Sequence, residues 1–389
     1  MKKTLIALAA LAATGAFAQS SVTLYGRLDA GYAAATRTQN VAGGASTEAK
    51  LNGVNSHNSV SSFWGIQGTE DLGGGLKAGF KLEQDVFTAN GNTGVSGAAL
   101  GASSNGAFNR TSLLSLAGNF GTVAFGRDYI PTFSMIAGND VFGQTRLSTI
   151  GLAAATGSTI DKQFVYTTPS FSGVVAKLSY GNTDSSVTNS EVVARNNNIT
   201  VTYANGPLNV GLGWGTQEAV GNGVAAVAAT TFTTINGATY ATVAGQSTKA
   251  ETTALVAAYD FGSFKLYGNF ITAKFNPNTA ASLDTTKTET NIGVSVPMGK
   301  ITLLGQYGRN TYNTTLAAAT VGAQGDSSGN DWALGADYAL SKRTTLFVKT
   351  GVVNKFDGTA APTGAGNTST TVNGDTKLTE TNFGVRHTF

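Results

Sequence analysis

From residue 21 to the C-terminus, apolar side chains recur at every second position, and this alternation limits the fold more than any other property of the chain. Val22, Leu24, Leu28, Ala30 and Tyr32 share one face, while Thr23, Tyr25, Arg27, Asp29 and Gly31 share the other. The beat returns in Leu76-Ala78-Phe80-Leu82, Leu208-Val210-Leu212-Trp214, Ile301-Leu303-Gly305-Tyr307 and Trp332-Leu334-Ala336-Tyr338. Successive residues of a strand point to opposite faces, so each run predicts a strand with one greasy and one polar side. Each is about as long as the nine to eleven residues of a tilted membrane strand. No stretch carries an apolar stripe of period 3.6, so the chain reads as all-β.

The connections alternate as well. Short turns fall at 69–75, 118–121, 168–172, 204–207, 260–263, 297–300 and 340–343. Long polar segments fall near 33–58, 88–107, 130–160, 182–196, 218–250, 275–287, 311–329 and 356–377. This predicts about sixteen antiparallel strands in an up-and-down transmembrane barrel, with both chain ends on the short-turn, periplasmic side of an outer membrane. Phe120, Tyr203, Tyr259, Phe261 and Tyr338 sit beside the short turns, as an aromatic girdle would.

Composition narrows the rest. Charged residues are 12 % of the 389, about half the usual globular share, and there is no cysteine. Net charge is +3, which gives no footprint for nucleic acid, and no disulfide scaffold is possible. No apolar run approaches the roughly 18–20 residues of a spanning helix. Lys2 and Lys3, an apolar stretch from Leu5 to Ala13, and Ala16-Phe17-Ala18 have the layout of an export signal cleaved before Gln19. Residues 1–18 are therefore expected to be removed, and 19–389 to form one domain.

On the alternating register Arg27, Asp29, Lys77, Lys81, Glu83, Arg110, Lys177, Lys265, Lys349 and Arg386 lie on the polar side and point into the barrel water. Basic positions outnumber acidic ones in that set, which predicts a mild preference for anions, because low-dielectric walls focus the field of lumen charges. The chain closes with Phe383, Val385, His387 and Phe389 on one face, an ending that resembles the insertion signal of outer-membrane barrels.

Several segments then resemble one family. Gln19-Ser-Ser-Val-Thr-Leu-Tyr-Gly-Arg-Leu-Asp29, Gly65-Ile-Gln-Gly-Thr-Glu-Asp-Leu-Gly-Gly-Gly-Leu-Lys77, Phe108-Asn-Arg110, Gly121-Thr-Val-Ala-Phe-Gly-Arg127, Ser170-Phe-Ser-Gly173, Leu340-Ser-Lys-Arg-Thr344 and Gly384-Val-Arg-His-Thr-Phe389 are similar to the general porins of Gram-negative bacteria, in their β-proteobacterial form. The resemblance implies a passive channel for small hydrophilic solutes and ions. It also implies a homotrimer of sixteen-stranded barrels in lipid and lipopolysaccharide, assembled by the barrel insertion machinery and needing no cofactor. The third external loop would fold inward over residues 130–160, with Asn139-Asp-Val-Phe-Gly143 as its acidic turn. Arg27 and Arg110 match two rungs of a basic ladder on the wall, and Asp140, with Asp128 and Asp161, matches the acidic side facing it. Arg146 and Lys162 would complete the basic side. Two slots depart from the pattern: Phe63 stands where the family carries arginine, and Val165 occupies another inward arginine position.

Enzymatic readings lack their parts. His57 lies among Ser and Asn in a long segment and His387 in the closing strand, so neither is set against a nucleophile and an orienting acid. Gly221-Asn-Gly-Val-Ala-Ala226 echoes a dinucleotide fingerprint without a helix to follow, and no spacing marks a metal site. Two alternatives use the same fold. One is a substrate-specific channel with an aromatic track drawn from Tyr25, Phe63, Tyr267 and Phe347, and the other an adhesin using its long loops, with 218–250 the best candidate.

Overall fold

The computed structural model describes residues 21–39, 46–93, 107–143, 145–148, 158–187, 190–223, 232–235, 238–241, 247–277, 284–315, 327–356 and 375–389. The expected cleavage site lies outside them. Strands β1 (Ser21–Gln39), β2 (Thr47–Ser56), β3 (Phe63–Gly73), β4 (Leu76–Asp85), β5 (Thr111–Gly118) and β6 (Gly121–Tyr129) lead to a short helix α1 (Pro131–Ala137). Then come β7 (Thr159–Thr167), β8 (Val174–Val187), β9 (Ser190–Asn205) and β10 (Leu208–Gly223), and a separate hairpin of β11 (Phe232–Ile235) and β12 (Ala238–Ala241). The sheet continues with β13 (Ser247–Asp260), β14 (Lys265–Pro277), β15 (Asp284–Met298) and β16 (Ile301–Thr315). It ends with β17 (Ser327–Ala339), β18 (Thr344–Phe356) and β19 (Asp375–Thr388).

All neighbours in the main sheet are antiparallel, and β19 pairs back onto β1 with Arg27 opposite Thr388 and Asp29 opposite Arg386. One strand position is split. Residues 21–27 of β1 pair with β3, and residues 30–39 pair with β2. The seventeen strands of the sheet therefore fill sixteen positions of a closed barrel. Closure is sealed by Phe389, whose N–H and C=O both bond Gly26 at 3.0 and 3.1 Å. Glycine is required there, because a Cβ on residue 26 would sit 2.7 Å from the Phe389 ring and 2.6 Å from the Phe63 carbonyl.

The polarity of the barrel is inverted relative to a water-soluble protein. Val22, Leu24, Leu114, Phe125, Leu255, Phe270, Ile292, Leu334 and Phe383 are exposed, Ile292 by 64 %, while Asn198, Thr252, Asn269, Asn291, Asp331 and Asn382 on the opposite face are buried. Phe120, Tyr259, Phe261 and Tyr338 border the apolar belt at the short turns. The pairs Tyr307 opposite Trp332 and Tyr32 opposite Phe383 border it at the other end. Ile301 and Tyr307 are six residues apart, about 20 Å along a strand, close to the apolar band of such barrels.

The seven predicted short turns are present, but the strands run further at their other ends. β13 to β19 contain 13–15 residues each, and β8 and β9 meet inside the predicted 182–196 loop. Beyond the belt both faces are polar, as in Thr285-Thr-Lys-Thr-Glu289, so the hydropathy beat stops although the ladder of backbone hydrogen bonds continues.

Candidate pore constriction

Pro131 opens α1 at its first turn, where a missing N–H costs nothing and the fixed φ suits a helix. The helix lies on the polar-face side of β10. A Cβ at Gly211 would come within 2.7 Å of Met135 Sδ, and one at Gly213 within 2.7 Å of Thr132 Cγ2. The alternating glycines 211, 213 and 215 thus leave a shallow bed for the helix, and Thr132 hydrogen-bonds Asn198 of β9. Ile136 packs with Ala254, Val256 and Ile271.

Past α1 the chain keeps to the same face of the sheet. Asn139 Nδ2 donates to the carbonyls of Ala257 and Gly268 at 3.2 Å each and to Asn269 Oδ1 at 2.8 Å. Asp140 Oδ1 accepts the Phe142 N–H at 2.9 Å, which closes the turn expected at 139–143. Phe142 is fully buried with Leu147 and Ala333. Arg146 then reaches β19, where its Nε and Nη2 grip Glu380 at 2.6 and 2.9 Å and Nη2 also donates to Asn58 at 3.1 Å. Residues 131–143 and 145–148 therefore touch β9, β10, β13, β14, β17 and β19 on one face, the face opposite the apolar belt.

On that face Arg27 of β1, Lys349 of β18, Arg386 of β19 and Arg110, the residue before β5, gather around residues 59–63. Arg110 is buried and gives Nη1 to Asp85 at 2.6 Å and Nε to Glu83 at 3.5 Å. Lys81 pairs with the same Glu83 at 2.8 Å, and Tyr25 donates to it at 2.8 Å. Arg386 meets Asp337 at 3.2 Å. Arg27 differs: its partners among the described residues are the Ser61 carbonyl, 2.8 Å from Nε, and the Phe63 ring, 5.1 Å from Cζ. Lys349 also binds a carbonyl, that of Ser59 at 3.2 Å, and lies 5.3 Å from the Phe142 ring. Phe63, in the slot expected to hold arginine, stands between Arg27 and Arg110, whose Cζ atoms are 5.1 and 4.6 Å from its ring. Its quadrupole offsets part of the repulsion between the two guanidiniums.

Several expected roles change. Asp29 does not face water: it is 0 % exposed, beneath residues 57–62. Arg110 is no free rung, because the carboxylates of β4 neutralise it. Asp128 accepts from Thr111 at 3.0 Å, and Asp161 pairs with Arg127 at 2.6 Å, so the Asp161 charge is matched locally. Arg146 is an anchor bound to Glu380, and Lys162 is exposed at a β-bulge with φ +52°. His57 is buried against Phe87 rather than lying in an open loop. Val165 is buried on the inner face, and Lys77 lies exposed near the β3–β4 turn. The excess of basic over acidic wall positions also shrinks, since Asp85, Asp337 and Glu380 join the inner face. Tyr25 and Phe63 meet edge to face at 5.9 Å, but Tyr267 on β14 and Phe347 on β18 are elsewhere, so the four make no single track. The 218–250 segment lies partly outside the described residues.

A closed sixteen-position antiparallel barrel with an apolar exterior and a polar interior is the architecture of a membrane pore of the passive-diffusion class. The chain belongs to the Gram-negative porin family, whose model matches residues 4–359. Outer membrane porin protein 32 of Delftia acidovorans is 32 % identical over 402 residues, covering 100 % of both chains. The major outer membrane protein P.IB of Neisseria lactamica is 26 % identical over 399 residues, also covering 100 % of both. Among solved structures, an anion-selective porin from Comamonas acidovorans superimposes with a TM-score of 0.68 at 28 % identity, covering 95 % of this chain and 100 % of that one. The protein is an outer-membrane porin, and transport through it is passive.

Proposed function

We propose that residues 131–148 constrict the lumen and that the channel admits small hydrophilic solutes and ions with a preference for anions. The observation that carries the preference is Arg27, a half-buried guanidinium on the inner face whose described partners carry no negative charge. The anion-selective character of the Comamonas structure supports the same direction. Arg110, Arg146 and Arg386, each tied to a carboxylate, then shape the constriction more than they charge it. In this reading the barrel forms a homotrimer with periplasmic termini, uses no cofactor, performs no chemistry on its solutes, and presents Phe383, Val385, His387 and Phe389 to the insertion machinery. A potassium chloride gradient across a planar bilayer tests the selectivity. The zero-current potential should carry the sign of chloride permeation, and the sign of potassium permeation would refute the anion preference.

A further inference from the structure

Where β3 gives way to β2, Leu28 and Asp29 of β1 have no strand partner on that side, and residues 57–62 fold in from the wall instead. Two side chains repair the gap in the ladder. Ser62 Oγ accepts the Asp29 N–H at 2.8 Å, and Thr88 Oγ1 donates to the Asp29 carbonyl at 2.6 Å. The Asp29 carboxylate gathers the excursion itself, with Oδ1 accepting the N–H of Asn58 at 2.8 Å and Oδ2 those of Ser59 and Val60 at 2.8 and 3.1 Å. Three N–H donors converging on one buried carboxylate give the segment a single conformation, since each would otherwise be an unsatisfied buried donor.

The segment so held presents its acceptors to four cations from four parts of the chain. The Ser61 carbonyl takes Arg27, the Ser59 carbonyl takes Lys349, Ser59 Oγ takes Arg386 Nη1 at 3.0 Å, and Asn58 Oδ1 takes Arg146. Arg27 and Lys349 have only neutral acceptors there, so their position depends on the segment rather than on an ion pair.

We infer that Asp29 is a specificity-determining positioning residue: through residues 58–60 it sets where Arg27, Lys349 and Arg386 stand in the lumen. This rests on the proposed role of those cations in selectivity, but its test has its own sign. Asp29→Asn removes a negative charge from the wall, so charge alone would move permeation toward anions. An amide in place of the carboxylate turns a donor toward converging N–H groups, frees the segment and lets the cations disperse, which moves permeation toward cations. The measurement is the chloride-to-potassium permeability ratio of Asp29→Asn relative to the unsubstituted channel, for protein whose folding is verified by its heat-dependent gel mobility. The ratio should fall by about twofold or more. Ser62→Ala, which changes no charge and keeps the carboxylate, should move the ratio in the same direction by less. A ratio that rises or stays constant in Asp29→Asn overturns the inference. If Asp29→Asn does not fold, an unchanged ratio in Ser62→Ala overturns it. The sign of the unsubstituted channel's potential reports separately on the anion preference itself.

Discussion

Arg27→Glu should reverse the ion preference of the channel. The exchange alters the wall charge by two units at a site where a carbonyl and an aromatic ring, rather than an ion pair, hold the native cation. One unit charge at about 5 Å contributes about 0.8 kcal/mol even in water, and the interaction grows as the low-dielectric wall excludes solvent. Anions and cations shift in opposite directions, so the permeability ratio should change by about tenfold after screening by salt. Arg27→Lys keeps the charge and should keep the sign, with a smaller preference because a lysine cannot hold both the Ser61 carbonyl and the Phe63 ring face. Zero-current potentials of the two variants check this. An Arg27→Glu channel with an unchanged potential would show that this cation does not face the permeating ions.

The second large effect is expected at the far end of the crossing segment. Arg146→Ala leaves Glu380, 1 % exposed, with Asn382 as its remaining described partner, and an uncompensated buried carboxylate costs about 3–5 kcal/mol. That cost lowers thermal stability and loosens the anchor between Arg146 and β19, while the sixteen positions of the barrel keep their backbone ladder and still form. Single-channel records of Arg146→Ala should therefore show larger and noisier open currents from barrels that still fold. Arg146→Ala combined with Glu380→Gln should regain thermal stability, because the stranded charge is gone, while the currents stay large, because the tie is still missing. A single variant with native current would mean that Phe142 and Asn139 hold the segment unaided.

The barrel was legible because its cause is local: a strand with lipid on one side and water on the other must alternate, and turns without room for loops must be short. The ends of the strands were not, because above the apolar belt Thr, Asn and charged residues fill both faces and the signal disappears while pairing continues. The wall register placed Arg27, Glu83, Arg110, Lys349 and Arg386 on the correct face for the same local reason. Their partners were hidden by distance along the chain. Glu380 lies 234 residues from Arg146, and Asp337 49 from Arg386, and nothing periodic links them. The inward turn at 57–62 has no periodic signature either, so Asp29 read as one more lumen carboxylate. The bed of the helix does leave a mark in the sequence. Gly211-Leu-Gly-Trp-Gly215 places glycine at three successive inner positions, a pattern that marks close approach by another piece of chain, here α1.

The central claim is that this barrel is an open passive pore, and the most direct test is the single-channel conductance of the folded protein in a planar bilayer of symmetric salt. Discrete steps of constant size, with current proportional to small applied voltages and no added cofactor or energy source, are the predicted result. Folded protein that inserts into the bilayer yet passes no current would contradict it, because the segment at 131–148 would then be a plug rather than a constriction.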